Sequence, residues 1–278
     1  MDSRHARQWT YAAFCVAFAF CPVGCRSPLV GGSLPHQYQV RWDDVRLKSE
    51  LPVDKTTPLA QELRDLRQEI VQTLDLPTQH RPVTVYLFAN ETAYAKYLKA
   101  NHPTLPPRRA YFIGTRTELA VYAFWGEQVR EDLRHEYTHG LLHGCLKNVP
   151  LWLDEGLAEY FETDAPGHLH PEHSVRLASA VEHGWRPDLP RLEQIEEVGE
   201  MQRADYQESW CWVHWLLQQP AGKQQLLEYL AELKTNEKPA PLSQRIKQHL
   251  PHAAKALVEH AAFTQPMKGT NEIRSREF

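Results

Sequence analysis

Residues 127–143 read EQVREDLRHEYTHGLLH. His135 and His139 are four apart, so in a helix their imidazoles leave one face about one turn from each other. That spacing lets two ring nitrogens reach one divalent cation at about 2.0–2.1 Å. Glu136, beside the first histidine, is turned about 100° round the axis. It can face a cation-held water without itself ligating, which is the position of a general base. Val129, Leu133, Tyr137 and Leu141 form an apolar stripe that would seat such a helix. The histidine count tempers this: with 15 of them in 278 residues, an HExxH spacing arises by chance about 0.07 times per chain. A third ligand has to carry the rest.

After Pro150 the chain reads LWLDEGLAEYFE, residues 151–162, with helical spacing. A hairpin of two helices through residues 144–150 would bring Glu155 back over the histidine pair. Three protein ligands and one open position characterise a catalytic zinc site, whereas a structural site is closed by four. Glu159, one turn further, is placed to accept a hydrogen bond from a ligand histidine and fix its tautomer. Asp154 stands as the alternative to Glu155. His143 shares the face of His135 but lies about 12 Å from it along the axis, which suits a helix-terminal imidazole better than a ligand.

His135-Glu136-Tyr137-Thr138-His139 together with Trp152-Leu153-Asp154-Glu155-Gly156-Leu157-Ala158-Glu159-Tyr160 resembles the gluzincin metallopeptidases, in particular the peptidase-MA-like families. The resemblance extends from residue 83 to about 217. It implies a zincin-like fold, a Zn²⁺ ion on His135, His139 and Glu155, and Glu136 as the base. The His-to-Glu spacing is shorter than in the large aminopeptidases, so their exopeptidase specificity is not implied. The metzincin arrangement needs glycine and histidine at 142 and 145, where this chain has Leu142 and Cys145.

An oxyanion donor beside the metal is usually Tyr or His. Similar families carry a tyrosine in a comparable downstream helix, which implies Tyr206. Tyr206, Trp210, Val213 and Leu217 also have the spacing of a plain core stripe, and Tyr137 and Tyr160 are weaker alternatives. His168, His170 and His173 around Pro171 read as a flexible surface loop, because no regular element is evident there to fix them. Residues 119–124 read as the edge strand before the HExxH helix, where an extended peptide substrate would pair.

These residues need a scaffold. Residues 58–75 repeat leucine and isoleucine at helical spacing, and 83–88 (VTVYLF) form an apolar strand. Asn90 opens a helix to about 98. Residues 110–113 and 119–124 are strands around Gly114-Thr115-Arg116, and beyond 127 the pattern is helical. The expected fold class is α+β: a small N-terminal mixed sheet, then a mostly helical C-terminal half.

The chain begins with Arg4, His5 and Arg7, followed by uncharged residues 10–21. That is too short for a membrane span and fits an export signal. Val23-Gly24-Cys25 resembles a bacterial lipobox, with Pro22 departing from its usual aliphatic residue, so Cys25 is the expected lipidation site. The expected divisions are a signal at 1–25, a tether and N-terminal segment at 26–50, a peptidase domain at 51–267 and a flexible tail at 268–278. Cys145 and Cys211 remain in the mature chain, either bridged or as two buried thiols. A net charge of -4 argues against a nucleic-acid partner, and 24% charged residues are ordinary for a globular chain.

The reading is an exported, lipid-anchored zinc metallopeptidase acting on peptide or protein substrates. Its rival is a cell-envelope binding or assembly protein with a zincin fold and no turnover.

Overall fold

Alternation with a period of two divides the strand residues between two apolar layers. The computed structural model describes residues 32–42, 45–78 and 81–263. The export signal, Cys25 and the 268–278 tail lie outside these. Five strands form one mixed sheet: β1 (Tyr38–Trp42), β2 (Val45–Ser49), β3 (Val83–Phe88), β4 (Ala110–Gly114) and β5 (Leu119–Phe124), in the order β1-β2-β3-β5-β4. β2, β3 and β5 run parallel, while β1 and β4 are antiparallel to their neighbours. Val83, Val85 and Leu87 face one layer; Tyr86 and Phe88 face the other. A strand buried on both sides reads as a continuous apolar run, as VTVYLF does.

Two expectations are corrected. Residues 119–124 are not the edge, since β5 pairs with β3 on one side and β4 on the other; the terminal strand beside β5 is β4. The sheet also begins before 51. Where the sequence suggests one short strand within 37–47, β1 and β2 form a hairpin whose second strand pairs in register with β3, from Val45↔Val83 to Ser49↔Leu87.

Helices α1 (Pro58–Thr73) and α3 (Val129–Cys145) share one layer, and α2 (Glu91–Asn101) contacts β3 and β5 from the other. Asn90 caps α2 by accepting from the Ala93 amide at 3.0 Å. The helical half continues with α4 (Leu151–Glu162), α5 (Pro171–Glu182), α6 (Leu189–Leu192), α7 (Arg203–Gln218), α8 (Pro220–Leu233), α9 (Leu242–His249) and α10 (Ala253–Phe263). The described residues are thus α+β, with strands early and helices late. No helix among them is long and apolar enough to cross a membrane. Cys145 and Cys211 are separate thiols rather than a bridge.

The centre of the helical half is α4. Every residue from Trp152 to Phe161 is buried, as expected of a helix enclosed by others. It packs between α3 and α7. It approaches α7 tightly at Gly156, where a Cβ would come 2.6 Å from the Ser209 carbonyl oxygen. Because the obstacle is backbone, it cannot turn aside. Gly156→Ala is therefore expected to destabilise the fold by about 1–3 kcal/mol through overpacking, read in urea unfolding.

α10 is attached to α7 through an imidazole pair. His214 Nε2 donates to the Gly167 carbonyl at 3.0 Å, and its Nδ1 lies 2.7 Å from His260 Nε2. Burial, then the neighbouring His260, pushes the pKa of His214 down to about 4. The unfolded chain therefore takes up this proton first as pH falls below about 6.5. The His214 contribution is intact above that value and is lost progressively toward pH 4. Unfolding midpoints of the wild type should fall more steeply between pH 7 and 5 than those of His214→Gln, which keeps a donor for Gly167.

Candidate metal centre

α3 enters the core on the stripe Val129, Leu133, Tyr137 and Leu141, all buried. Glu131 and Asp132 in its first turn suit the positive end of the helix dipole. Pro150 then begins α4, which runs back antiparallel to α3. Arg134 fixes the far end of that hairpin. Its guanidinium donates to the carbonyls of Phe161 (2.8 Å), Glu162 (3.0 Å) and Thr163 (3.4 Å), which the end of α4 leaves unsatisfied.

The hairpin brings His135, His139 and Glu155 together, with one ligand atom from each within 4.8 Å of the others. Glu155 Oε2 is 3.7 Å from His135 Nε2 and 3.9 Å from His139 Nε2. Donors about 2.0–2.2 Å from a tetrahedral ion stand roughly 3.3 Å apart, so these gaps exceed that spacing by a few tenths of an ångström. Glu155 is wholly buried and neither of its carboxylate oxygens has a hydrogen-bond partner. A buried carboxylate without a donor is costly unless a cation satisfies it. By donor type, distance and this unmet demand, the three residues fit a divalent metal ion.

The other ring nitrogens are also held. His135 Nδ1 donates to Glu162 Oε2 at 2.8 Å, and His139 Nδ1 lies 2.9 Å from Asp154 Oδ2. With the Nδ1 protons held there, loss of the Nε2 proton would turn a lone pair of each histidine toward Glu155, as a ligand needs. Asp154 also accepts from His143 Nε2 at 2.9 Å. Burial alone would raise its pKa, but the charges of His139 and His143 outweigh that and hold it well below the usual carboxylate range. Glu162 is held low in the same way, by His135 and His170 against burial.

Glu136 is buried on the adjoining face, its Oε2 without a partner. Burial pushes its pKa up to about 8, with Glu155 adding to the rise, while His135 and the Phe112 main-chain amide pull the other way. A cation at Glu155 would lower it further by simple attraction. Phe112 belongs to β4, so the terminal strand of the sheet runs directly alongside Glu136.

Some expected roles are redistributed. Glu159, assigned to orient a ligand histidine, accepts instead from His173 Nε2 at 3.0 Å, and the carboxylate on His135 Nδ1 is Glu162. Asp154 holds His139 and His143 rather than replacing Glu155. The histidines around Pro171 are not a flexible surface loop: His170 caps α5, His173 is wholly buried, and His168 Nε2 meets Glu69 on α1 at 2.8 Å. Proline at the first position of a helix was the available sign. Glu162 was legible too, because His135 and Glu162 stand symmetrically about the α3–α4 loop, as do His143 and Asp154. Tyr206 is buried in the first turns of α7, the helix packed along α4. Tyr137 is buried within α3, and the Tyr160 ring lies tilted against that of His168 with centroids 4.2 Å apart.

A cleft of about 1020 Å³ between α1 and the start of α3 is lined by Glu62, Glu69, Trp125, Arg130 and Arg134, among others. It contains none of His135, Glu136, His139 and Glu155.

Removing an orienting carboxylate typically costs 10–100-fold in metal affinity. Asp154→Ala, which removes the single oxygen, Oδ2, that both His139 and His143 meet, is expected to weaken zinc binding by about that factor in a chelator competition. No protein-family model matches the chain, and no curated protein matches it.

Proposed function

We propose that the chain is a zinc-dependent metallopeptidase of gluzincin type. The observation that carries this reading is the buried Glu155 carboxylate, without a hydrogen bond, facing two imidazoles whose Nδ1 atoms are already engaged, with Glu136 beside them. Two imidazoles and one carboxylate are the ligand set of open catalytic zinc sites. Zinc, when bound there, supplies a Lewis acid that polarises a scissile carbonyl and acidifies a water.

The chain's own residues supply the remainder. Glu136 takes the proton of the attacking water and hands it to the leaving amine. Burial suits it to both steps, since its protonated and ionised forms lie closer in free energy than those of an exposed carboxylate. β4, at the end of the sheet and in contact with Glu136 through Phe112, is the strand on which an extended peptide would pair. Tyr206 is the proposed donor to the developing oxyanion. Export with lipidation at Cys25 completes the proposal, with peptides or envelope proteins as substrates.

A second reading, a zincin-like envelope-binding protein without turnover, is favoured by the enclosure of the centre: the side chain of His135 is 14% exposed, while those of His139 and Glu155 are fully buried. One comparison separates the two. Peptide-library cleavage followed by mass spectrometry should detect hydrolysis by the wild type. Glu136→Ala should bind zinc equally well but cleave at least about 100-fold more slowly. Stoichiometric zinc with no cleavage by the wild type would favour the binding protein, and a fully active Glu136→Ala would exclude the mechanism.

A further inference from the structure

The start of α5 carries two imidazoles that the proposed chemistry does not use. His170 is the N-cap residue, and its Nδ1 accepts from the His173 main-chain amide at 3.3 Å. A ring nitrogen that accepts carries no proton, so the proton of the neutral ring is on Nε2. That Nε2 lies 3.3 Å from Glu162 Oε1 and 3.6 Å from Glu159 Oε2. The opposite oxygen of Glu162, Oε2, receives Nδ1–H of His135. His173 stacks on His170 with centroids 3.8 Å apart and planes 11° from parallel, its Nε2 on Glu159.

Glu159, His170 and His173 bring donor atoms within 4.8 Å of one another, close enough in principle for a second ion. Two features oppose that use. Ligation through His170 Nε2 would move the ring proton to Nδ1 and break the α5 cap. Nearly parallel stacked rings also send their in-plane lone pairs along parallel paths, so one ion cannot lie in both planes.

We infer that His170 is a positioning residue for the metal centre. A carboxylate held by one hydrogen bond can still turn about its terminal torsion; one held on both oxygens cannot. By holding its Nε2 in an ion-pair contact 3.3 Å from Glu162 Oε1, His170 restrains the carboxylate that sets the ring angle of His135, so α5, outside both sequence motifs, helps define the ligand geometry. This rests on the reading of His135, His139 and Glu155 as metal ligands.

Two substitutions divide the functions of His170. His170→Asn keeps an acceptor near the Nδ1 position and so keeps the cap, but it cannot reach Glu162. His170→Gln keeps a donor near the Nε2 position and gives up the cap. Zinc affinity is measured by chelator competition, the visible spectrum of the Co²⁺-loaded protein reports ligand geometry, and metal-free unfolding midpoints report the cap. The wild type should bind one ion. His170→Asn should keep the wild-type midpoint, lose about 10–100-fold in zinc affinity and shift the Co²⁺ spectrum. His170→Gln should lower the midpoint and keep both affinity and spectrum. Wild-type affinity in His170→Asn would overturn the inference while leaving the metal reading intact. Two ions per wild-type chain, falling to one in His170→Asn, would overturn it in favour of a second ion site. A wild type that binds no ion would sink the metal reading and the inference together.

Discussion

Charge buried between two antiparallel helices is the constraint on which the molecule turns. α3 and α4 place Glu136, Asp154, Glu155, Glu159, His135 and His139 at or near the core, where water cannot solvate them. Buried charges persist only when paired, hydrogen-bonded or bound to a metal. Asp154 and Glu162 meet the first conditions at opposite ends of the hairpin. Arg134 adds a third fastening by collecting the last carbonyls of α4. Glu155, between these ends, has no hydrogen-bond donor and only long ion-pair contacts, 3.7 and 3.9 Å, to His135 and His139, and its cluster could hold a metal ion.

The rest of the fold keeps that hairpin rigid. Below α3, the sheet offers Phe112, whose ring lies 5.4 Å from that of His143 and 6.3 Å from that of His139. Above α4, α7 approaches so closely at Gly156 that no side chain fits. Glu155 is adjacent to that contact in sequence, so its placement is tied to the distance between α4 and α7. A ligand on a helix enclosed from both sides has little freedom to drift, which is what a metal centre needs from its scaffold.

Legibility differed by element. The strands at 83–88 and 119–124 and the helix at 151–162 were readable to the residue, because each has a strong apolar period and clear flanks. The strand order was not. A continuous apolar run says that β5 is buried, and burial is equally compatible with an interior place or a covered edge. A strand within 37–47 was readable, but not its division into β1 and β2, which are polar on their outer face and whose place is set only by pairing with β3. His170 and His173 looked like loop residues because the helix they begin has few apolar residues in its first turn. The burial of His173 comes from Glu159 on the preceding α4 and from Trp210 on α7, well further along the chain.

By itself the sequence determined the chemical types and their helical spacing. Two histidines one turn apart, a glutamate beside them and a further glutamate on a following helix can be read without coordinates, since 3.6 residues per turn governs which side chains share a face. The tertiary structure decided which carboxylate serves which imidazole. Those partners are set by how far α4 slides along α3, which the Gly156–Ser209 contact and the grip of Arg134 on the end of α4 hold in place. Neither of these is a local property: the symmetric spacing of His135 and Glu162 about the α3–α4 loop makes their pairing possible, and packing selects it over Glu159.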